Sequence, residues 1–333
     1  MIKATAPGRA GVIGNPTDMY GGTVISCSTQ ERATVTVEPW DELLVEVSGQ
    51  RKVLKGREEF DITGDYLDVV RAVIDFLGMY EEKLHITCTS GIPFRAGLSG
   101  STAVIVAVLA ALLACRGESP HPYKLAEMAR HVELYYVKVV CGYQDAYMCT
   151  FGGLNYMDFR DKEFYKGIRV EPYATVEPLT PFVPELPVIL AHTGVERISG
   201  SVHKPIRERW LEGDPEVVQG YLRMAHLARM GKKALLEGDW ELLGELMNEN
   251  HEIQRALGGS GPANERLIEA ALDAGALGAK LAGAGRGGTI IALHPEPEEL
   301  IEPLKEAGAD RILFPKPCPG VQVQEVEGTL WEA

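Results

Sequence analysis

The sequence predicts an α+β protein of two domains, and three observations carry that prediction. The first third alternates apolar and polar residues in short runs punctuated by glycine. The second half holds long helical periods of apolar residues. Between them lies a stretch rich in prolines and charges, over residues 160–187. Strands and helices are mixed without the strict alternation that builds a parallel sheet. Domains over 1–180 and 181–333 follow, each within the usual range of about 100–200 residues.

The elements follow in order. ATVTVEPW (33–40) and LLVEVSG (43–49) alternate as half-buried antiparallel strands do. From Asp65 to Tyr80 the residues Leu67, Val70, Val73, Ile74 and Leu77 recur at helical spacing, and Leu84–Thr89 reads as a strand. Ser99 or Ser101 caps a helix that is apolar on every side through Cys115, so it should be central and buried. A further helix is expected over about 122–138, and GGLNYMDF (152–159) reads as a strand leaving a glycine turn. Amphipathic helices are expected at 215–237 and 239–257, with a shorter one opened by Pro262. A glycine loop at 283–288 and the strand TIIALH come last.

Composition narrows the function. Of 333 residues, 45% are hydrophobic and 24% charged, a globular mixture without long disorder. Lys plus Arg number 33 against 47 acids, a net charge of -14. Such a field disfavours nucleic acid and anionic membrane as partners, though local donors could still hold a small anion. Cys27, Cys88, Cys115, Cys141, Cys149 and Cys318 form no metal-binding spacing and read as reduced thiols. The first residues lack a basic-then-apolar signal design, and the run Ala103–Cys115 falls short of the ~20 residues that span a bilayer. A cytoplasmic protein is expected.

Four segments could carry chemistry. GIPFRAGLSGSTA (91–103) leads into the buried helix, so small residues and unpaired helix-start N–H groups make an anion site suited to a polyphosphate. An ordinary capped helix after a loop is the alternative. GAGRGG (283–288) satisfies G-x-G-x-x-G, but a strand rather than a helix follows, which excludes the dinucleotide fold. It either packs beside the first loop or merely turns the chain. In APGRAGVIGNPTDMYGG (6–22), Arg9 offers a planar fork for an anion, and Asp18 either accepts from sugar hydroxyls or serves as a turn or cap residue. In CGYQDAY (141–147), Asp145 is a base or a cap, with Glu133 twelve residues upstream. A carboxylate, an arginine, a phosphate loop and a second acid are the parts of phosphoryl transfer.

Together these segments resemble the GHMP kinases, the family of galactokinase, homoserine kinase, mevalonate kinase and phosphomevalonate kinase. That family has three ordered motifs: a P-G-R opening followed by G-E-H and an acid, a central P-x-x-x-G-L-x-S-S-A, and a Gly-Ala-Gly-rich loop. They read here as PGRAGVIGNPTD, PFRAGLSGSTA and LAGAGRGG. Within the family the likeness is greatest to the branch of plant-type glucuronokinases, through GNPTDMYGGTVIS, GYQDAYMCTFGGLNYMDF and SVHKPIRERWLEGD. Asn15-Pro16 stands where galactokinases have Glu-His, and the central serines are displaced to Ser99, Ser101 and Thr102. Arg286 and Thr289 replace small residues of the last motif.

The resemblance implies the two-domain GHMP kinase fold, with an N-terminal domain like ribosomal protein S5 domain 2 and a ferredoxin-like C-terminal domain. It implies an ATP-dependent sugar kinase acting on the anomeric hydroxyl of a uronate. A neutral sugar, a mevalonate-type or amino-alcohol acceptor, or a non-catalytic sugar-binding member are the alternatives. ATP is expected over Pro93, Arg95, Ala96, Gly97, Leu98, Ser99, Gly100, Ser101 and Thr102, with Gly283 and Gly285 beside it. Mg²⁺ is expected on Ser101 and Glu133, with Asp145 and Arg9 as catalytic residues. Arg9, Asn15, Asp18, Tyr20, Asp145 and Arg197 should face the sugar. A uronate needs a partner for its carboxylate, and Arg9, Arg197, His203, Lys204 and Arg207 are candidates. Lys204 and Arg207 read equally well as a solvated helix start. The expected partners are a small-molecule sugar and ATP, with no nucleic acid or membrane, for a monomer or homodimer.

Overall fold

The computed structural model describes residues 1–93, 96–162, 171–195 and 199–326, with side chains omitted for 199–204. Two sheets are formed. The first is built on two long strands, β1 (Ile2–Ile13) and β2 (Thr23–Pro39), which pair antiparallel. β3 (Leu44–Val47) and β4 (Gln50–Val53) form a hairpin, and α1 (Asp68–Leu77) connects it to β5 (Leu84–Ser90). β5 runs parallel to β3 and antiparallel to the second half of β2.

The apolar helix expected after the central loop is α2 (Gly100–Cys115), whose residues 102–113 are all buried against β1 and β2. Its mean composition is apolar on every face because α1, α3 (Pro122–His131) and α4 (Gln144–Phe151) cover the sides the sheet does not. The helix expected to reach 138 stops sooner. α3 gives way at Val132–Tyr136 to a single π-helical turn, which accommodates one extra residue and carries Glu133. β6 (Leu154–Asp158) then pairs with the first half of β2, and β7 (Thr175–Pro178) pairs with β6.

The second sheet begins with β8 (Val188–His192). α5 (Ser199–Leu211), α6 (Pro215–Glu237), α7 (Trp240–Ala256) and α8 (Pro262–Asp273) follow, then β9 (Gly278–Leu281), β10 (Thr289–Leu293), α9 (Ile301–Glu306) and β11 (Arg311–Leu313). The strand order is β11-β8-β10-β9, antiparallel throughout. Asp214 and Asp239 cap α6 and α7 through Glu216 and Leu242 N–H groups, and Pro262 occupies the first turn of α8. The chain then returns: β12 (Gln322–Glu325) pairs with β1, so the last described residues belong to the first sheet although they follow the second. No helix among the described residues is long and apolar enough to cross a membrane.

At the N-terminus the glycine-bearing segment PGRAGVI is the inner half of β1. Register shifts between Pro7 and Arg9 and between Gly11 and Ile13 let the strand carry a proline and two glycines.

Candidate functional site

Two glycines in β1 bring the three motifs together. A Cβ on Gly8 would lie 2.7 Å from the Leu98 carbonyl, and one on Gly11 would lie 2.9 Å from that of Ala282. Those bare positions let the loops close on the strand: Arg9 N–H donates to Leu98 O (3.1 Å) and Gly11 N–H to Ala282 O (2.8 Å). Between them projects the buried side chain of Arg9. Its Nε and Nη2 donate to Asp145 Oδ1 at 2.8 and 2.6 Å, and Nη1 donates to Gly97 O at 2.7 Å. One guanidinium thus ties the first motif to the central loop and to the start of α4.

Asp145 sits in the first turn of α4, and its side chain keeps 27% of its surface exposed. Both Arg9 bonds fall on Oδ1, and Oδ2 accepts none among the described residues. A residue ahead of it holds that helix start in place. Asp18 Oδ2 accepts from the N–H groups of Tyr143 (2.7 Å) and Gln144 (3.0 Å), and Gln144 Nε2 reaches Oδ1 at 3.4 Å. Gly142 is required beside it, because a Cβ there would fall 1.9 Å from Asp18 Oδ2. Of the two readings of Asp18, this geometry displays the cap: the residue is 1% exposed and Oδ2 is doubly engaged. Burial, helped by the charge of Asp145, pushes its carboxyl up to about 6 against the opposing N–H bonds.

In the central loop, Gly97 and Ser99 take positive φ (76° and 62°) and α2 starts at Gly100. Pro93 is half-buried, Ala96 and Leu98 are buried, and Arg95 lies outside the described residues. Ser99 occupies the cap position without using its hydroxyl for a cap. Its Oγ is buried and has no hydrogen-bond partner among the described residues. The N–H groups of Gly100, Ser101 and Thr102, lying in the first turn, have no partner within the helix.

Ser101 and Glu133, the expected Mg²⁺ residues, lie on different sides of the first turn of α2. Ser101 points outward and is exposed, whereas Thr102, about 100° further round the helix, is buried and donates to Glu133 Oε1 and Oε2 at 3.1 and 2.9 Å. Burial, and then the charge of Asp145, push the Glu133 carboxyl up to about 7.

The last glycine loop packs beside the central one, the first of its two readings. Thr289 Oγ donates to Ala96 O at 2.9 Å, and Asn15 Nδ2 reaches Gly283 O at 3.3 Å. Gly285 has φ +95° and a Cβ there would meet Gly259 O at 1.9 Å, so only glycine fits. Thr289, a departure from the motif, is thus the residue that bonds the two loops.

Asn15 is buried and spent inside the protein: its Oδ1 accepts from Lys280 Nζ at 2.8 Å. Tyr20 packs between Trp210 and Tyr221, with ring centroids 4.5 and 4.9 Å away. Arg197 lies outside the described residues, as do the side chains of His203 and Lys204; Arg207 is half-buried in α5. Two residues that sequence reasoning passed over belong to the neighbourhood. Lys280 is wholly buried, and burial and then the charge of Arg9 pull its amine down to about 7. Its only signal was a lysine inside an otherwise apolar strand before the glycine loop. The other, Arg130, hid as one more charge on an amphipathic helix.

Chemically, the arrangement offers a carboxylate with one oxygen unbonded among the described residues, a guanidinium orienting it through the other, and a helix start with unpaired donors. A second buried carboxylate faces a hydroxyl. The donors near Glu133 are hard oxygens, and a carboxyl pushed up by burial and a like charge would be relieved by a cation, so the residues fit Mg²⁺. Among the described residues no cluster of three His, Cys, Asp or Glu could enclose an ion. An ion here would therefore take most of its ligands from water and phosphate, as Mg²⁺ commonly does.

Residues 66–153 match the model of the GHMP kinases N terminal domain, and residues 232–310 that of the GHMP kinases C terminal domain. The chain is 29% identical over 322 aligned positions to a probable glucuronokinase 2 of Arabidopsis thaliana, covering 90% of this chain and 86% of that protein. It is 28% identical over 347 positions to a mevalonate kinase of Pyrococcus horikoshii, covering 98% of each. In structure it is similar to a Lactococcus lactis galactokinase complexed with galactose, with TM-score 0.76, 18% identity, 96% of this chain and 95% of that one.

Proposed function

We propose, from the premise that this chain belongs to the GHMP kinases and so transfers a phosphoryl group from ATP to an alcohol, that its acceptor is a uronic acid phosphorylated at the anomeric hydroxyl. The observation that carries the mechanism is the Arg9 bridge between Asp145 and Gly97. The triphosphate lies over Gly97–Thr102, where the N–H groups at the start of α2 and the orphaned Ser99 hydroxyl donate to its oxygens. Ala96 and Leu98 anchor that loop, and Gly283 and Gly285 give it a wall without side chains. Glu133 and the hydroxyls of Ser101 and Thr102 would hold Mg²⁺, which supplies charge neutralisation at the phosphates when bound.

Asp145 Oδ2 receives the acceptor hydroxyl, orients it in line with the terminal phosphorus and takes its proton as the new P–O bond forms and the bond from that phosphorus to the bridging oxygen breaks, releasing ADP. Arg9 holds Asp145 in place through Oδ1, and its Nη1 lies beside the loop where negative charge builds on the transferred group. Asp18 acts one step back, fixing the start of α4 and thereby the direction of Asp145. The sequence likeness to plant glucuronokinases supports the uronate.

A second reading has its own support. The similarity to an archaeal mevalonate kinase runs through nearly the whole of both chains, so an open-chain hydroxy acid is the alternative acceptor. ADP release measured with Mg²⁺ and glucuronate, galacturonate, galactose, glucose, mevalonate and homoserine separates the two. Turnover of glucuronate at least tenfold above the others is expected. Preference for mevalonate would replace the uronate reading, and preference for a neutral sugar would remove the acid from both.

A further inference from the structure

Arg130 is a buried cation, two of whose three nitrogens bond to nothing described. It lies in α3 one turn before Glu133 and is 7% exposed. Its guanidinium carbon stands 4.1 Å from the ring centroid of Tyr143, the residue whose N–H caps onto Asp18. Nε and Nη2 are both buried and have no hydrogen-bond partner among the described residues. Leaving charged donors dry and unpaired is costly, so evolution keeps such a group where something outside the chain completes it.

Its surroundings say what that is. The charge of Arg130 acts on Glu133 and on Cys141, and the Cys141 thiol also feels Asp145 and Asp18. Arg130 lies one turn before Glu133 and against Tyr143, which bonds to Asp18 and stands two residues before Asp145, so it borders the same polar region as those three carboxylates. Arg9 is already committed to Asp145 and to the Gly97 carbonyl. A neutral acceptor could enter that region freely, but an acidic one would be repelled unless a further cation met it. Adjacent Nε and Nη2 form the side-on, two-pronged edge with which guanidinium groups grip carboxylates.

We infer that Arg130 binds the carboxylate of a hydroxy-acid acceptor through Nε and Nη2, and so selects acids over neutral alcohols. This rests on the reading of the acceptor as a hydroxy acid, uronate or open-chain. The test is steady-state kinetics of wild type, Arg130→Met and Arg130→Lys, with the KM of ATP and of glucuronate, mevalonate and galactose determined separately. Melting curves and ATP titration establish that each variant is folded; should Arg130→Met fail to fold, Arg130→Lys is compared in its place. In Arg130→Met the KM of the acidic acceptor should rise about thirtyfold or more while that of ATP stays within twofold. Arg130→Lys should recover part of the loss, since it keeps the charge but not the fork. An acidic-acceptor KM unchanged within threefold in a folded variant would overturn the assignment of Arg130 alone. A rise confined to the KM of ATP would overturn it in favour of a phosphate contact. Wild-type turnover of galactose but of neither acid would overturn the hydroxy-acid reading and this assignment together.

Discussion

Replacing Glu133 by Gln should stabilise the ligand-free protein at pH 8 while abolishing turnover. The Glu133 carboxyl is pushed from its ordinary value of 4.5 up to about 7, chiefly by burial and then by the charge of Asp145. At ~1.4 kcal/mol per unit, keeping it ionised in the fold costs about 3 kcal/mol once the pH is well above 7. The folded state binds this proton more tightly than the unfolded chain. Between pH 4.5 and 7 the native protein therefore holds more protons, and its stability falls as pH rises. Glutamine has the shape of the protonated acid and keeps an acceptor for the Thr102 hydroxyl. The stability difference between E133Q and wild type should grow from near zero at pH 4.5 to about 3 kcal/mol at pH 8. Asp18 is shifted in the same direction but is present in both proteins, so it cancels in the difference. Urea denaturation at pH 5 and pH 8 in chelator measures this directly. Added Mg²⁺ with ATP should then raise the melting temperature of wild type and leave E133Q with ATP alone as its stabiliser. A difference that does not vary with pH, or a variant less stable than wild type at pH 8, would refute the reasoning.

Three further outcomes are expected. Asp145→Asn should lower turnover by about a thousandfold, the usual weight of a positioned acid–base group, with ATP affinity within threefold in a binding titration; turnover within threefold of wild type would remove Asp145 from the mechanism. Asp18→Ala deletes the acceptor for two N–H groups at the start of α4 and should cost about 1–2 kcal/mol of stability in denaturation. Its kcat should fall more than its acceptor KM rises, and the reverse split would show that Asp18 touches the acceptor itself. Gly285→Ala, with its Cβ forced to 1.9 Å from Gly259 O, should raise the KM of ATP at least tenfold, and an unchanged KM would show that the loop yields without touching the nucleotide.

Much of this was legible in the sequence, and the reasons for the rest are physical. α2 could be read because an apolar stretch of thirteen residues after a Gly-Ser loop is too long for most strands and too short to span a bilayer. The convergence of the motifs could be anticipated only through family likeness, because the contacts that make it, such as Arg9 to Gly97 and Thr289 to Ala96, join residues 88 and 193 positions apart. β1 was hidden by its own composition: proline and glycine usually argue against a strand, and here bulges and close loops are the reason they are present. The motif offered the hydroxyls of Ser101 and Thr102 alike, and only the structure shows that helical rotation turns Thr102 to Glu133. The π turn that places Glu133 could not be read from periodicity, since a single inserted residue leaves the apolar spacing nearly intact. Arg130 showed no signal at all, for an unpaired side chain is recognised only when its neighbours are known.

The most direct test of the central claim, that Arg9 and Asp145 serve phosphoryl transfer from ATP to a uronate, is ³¹P NMR of the purified protein with Mg²⁺, ATP and glucuronate. The expected result is loss of the ATP γ-signal with matching growth of ADP and of one phosphomonoester coupled to the anomeric proton, absent when Asp145→Asn is used. An unchanged ATP spectrum with glucuronate, or a phosphomonoester that Asp145→Asn makes equally fast, would contradict it.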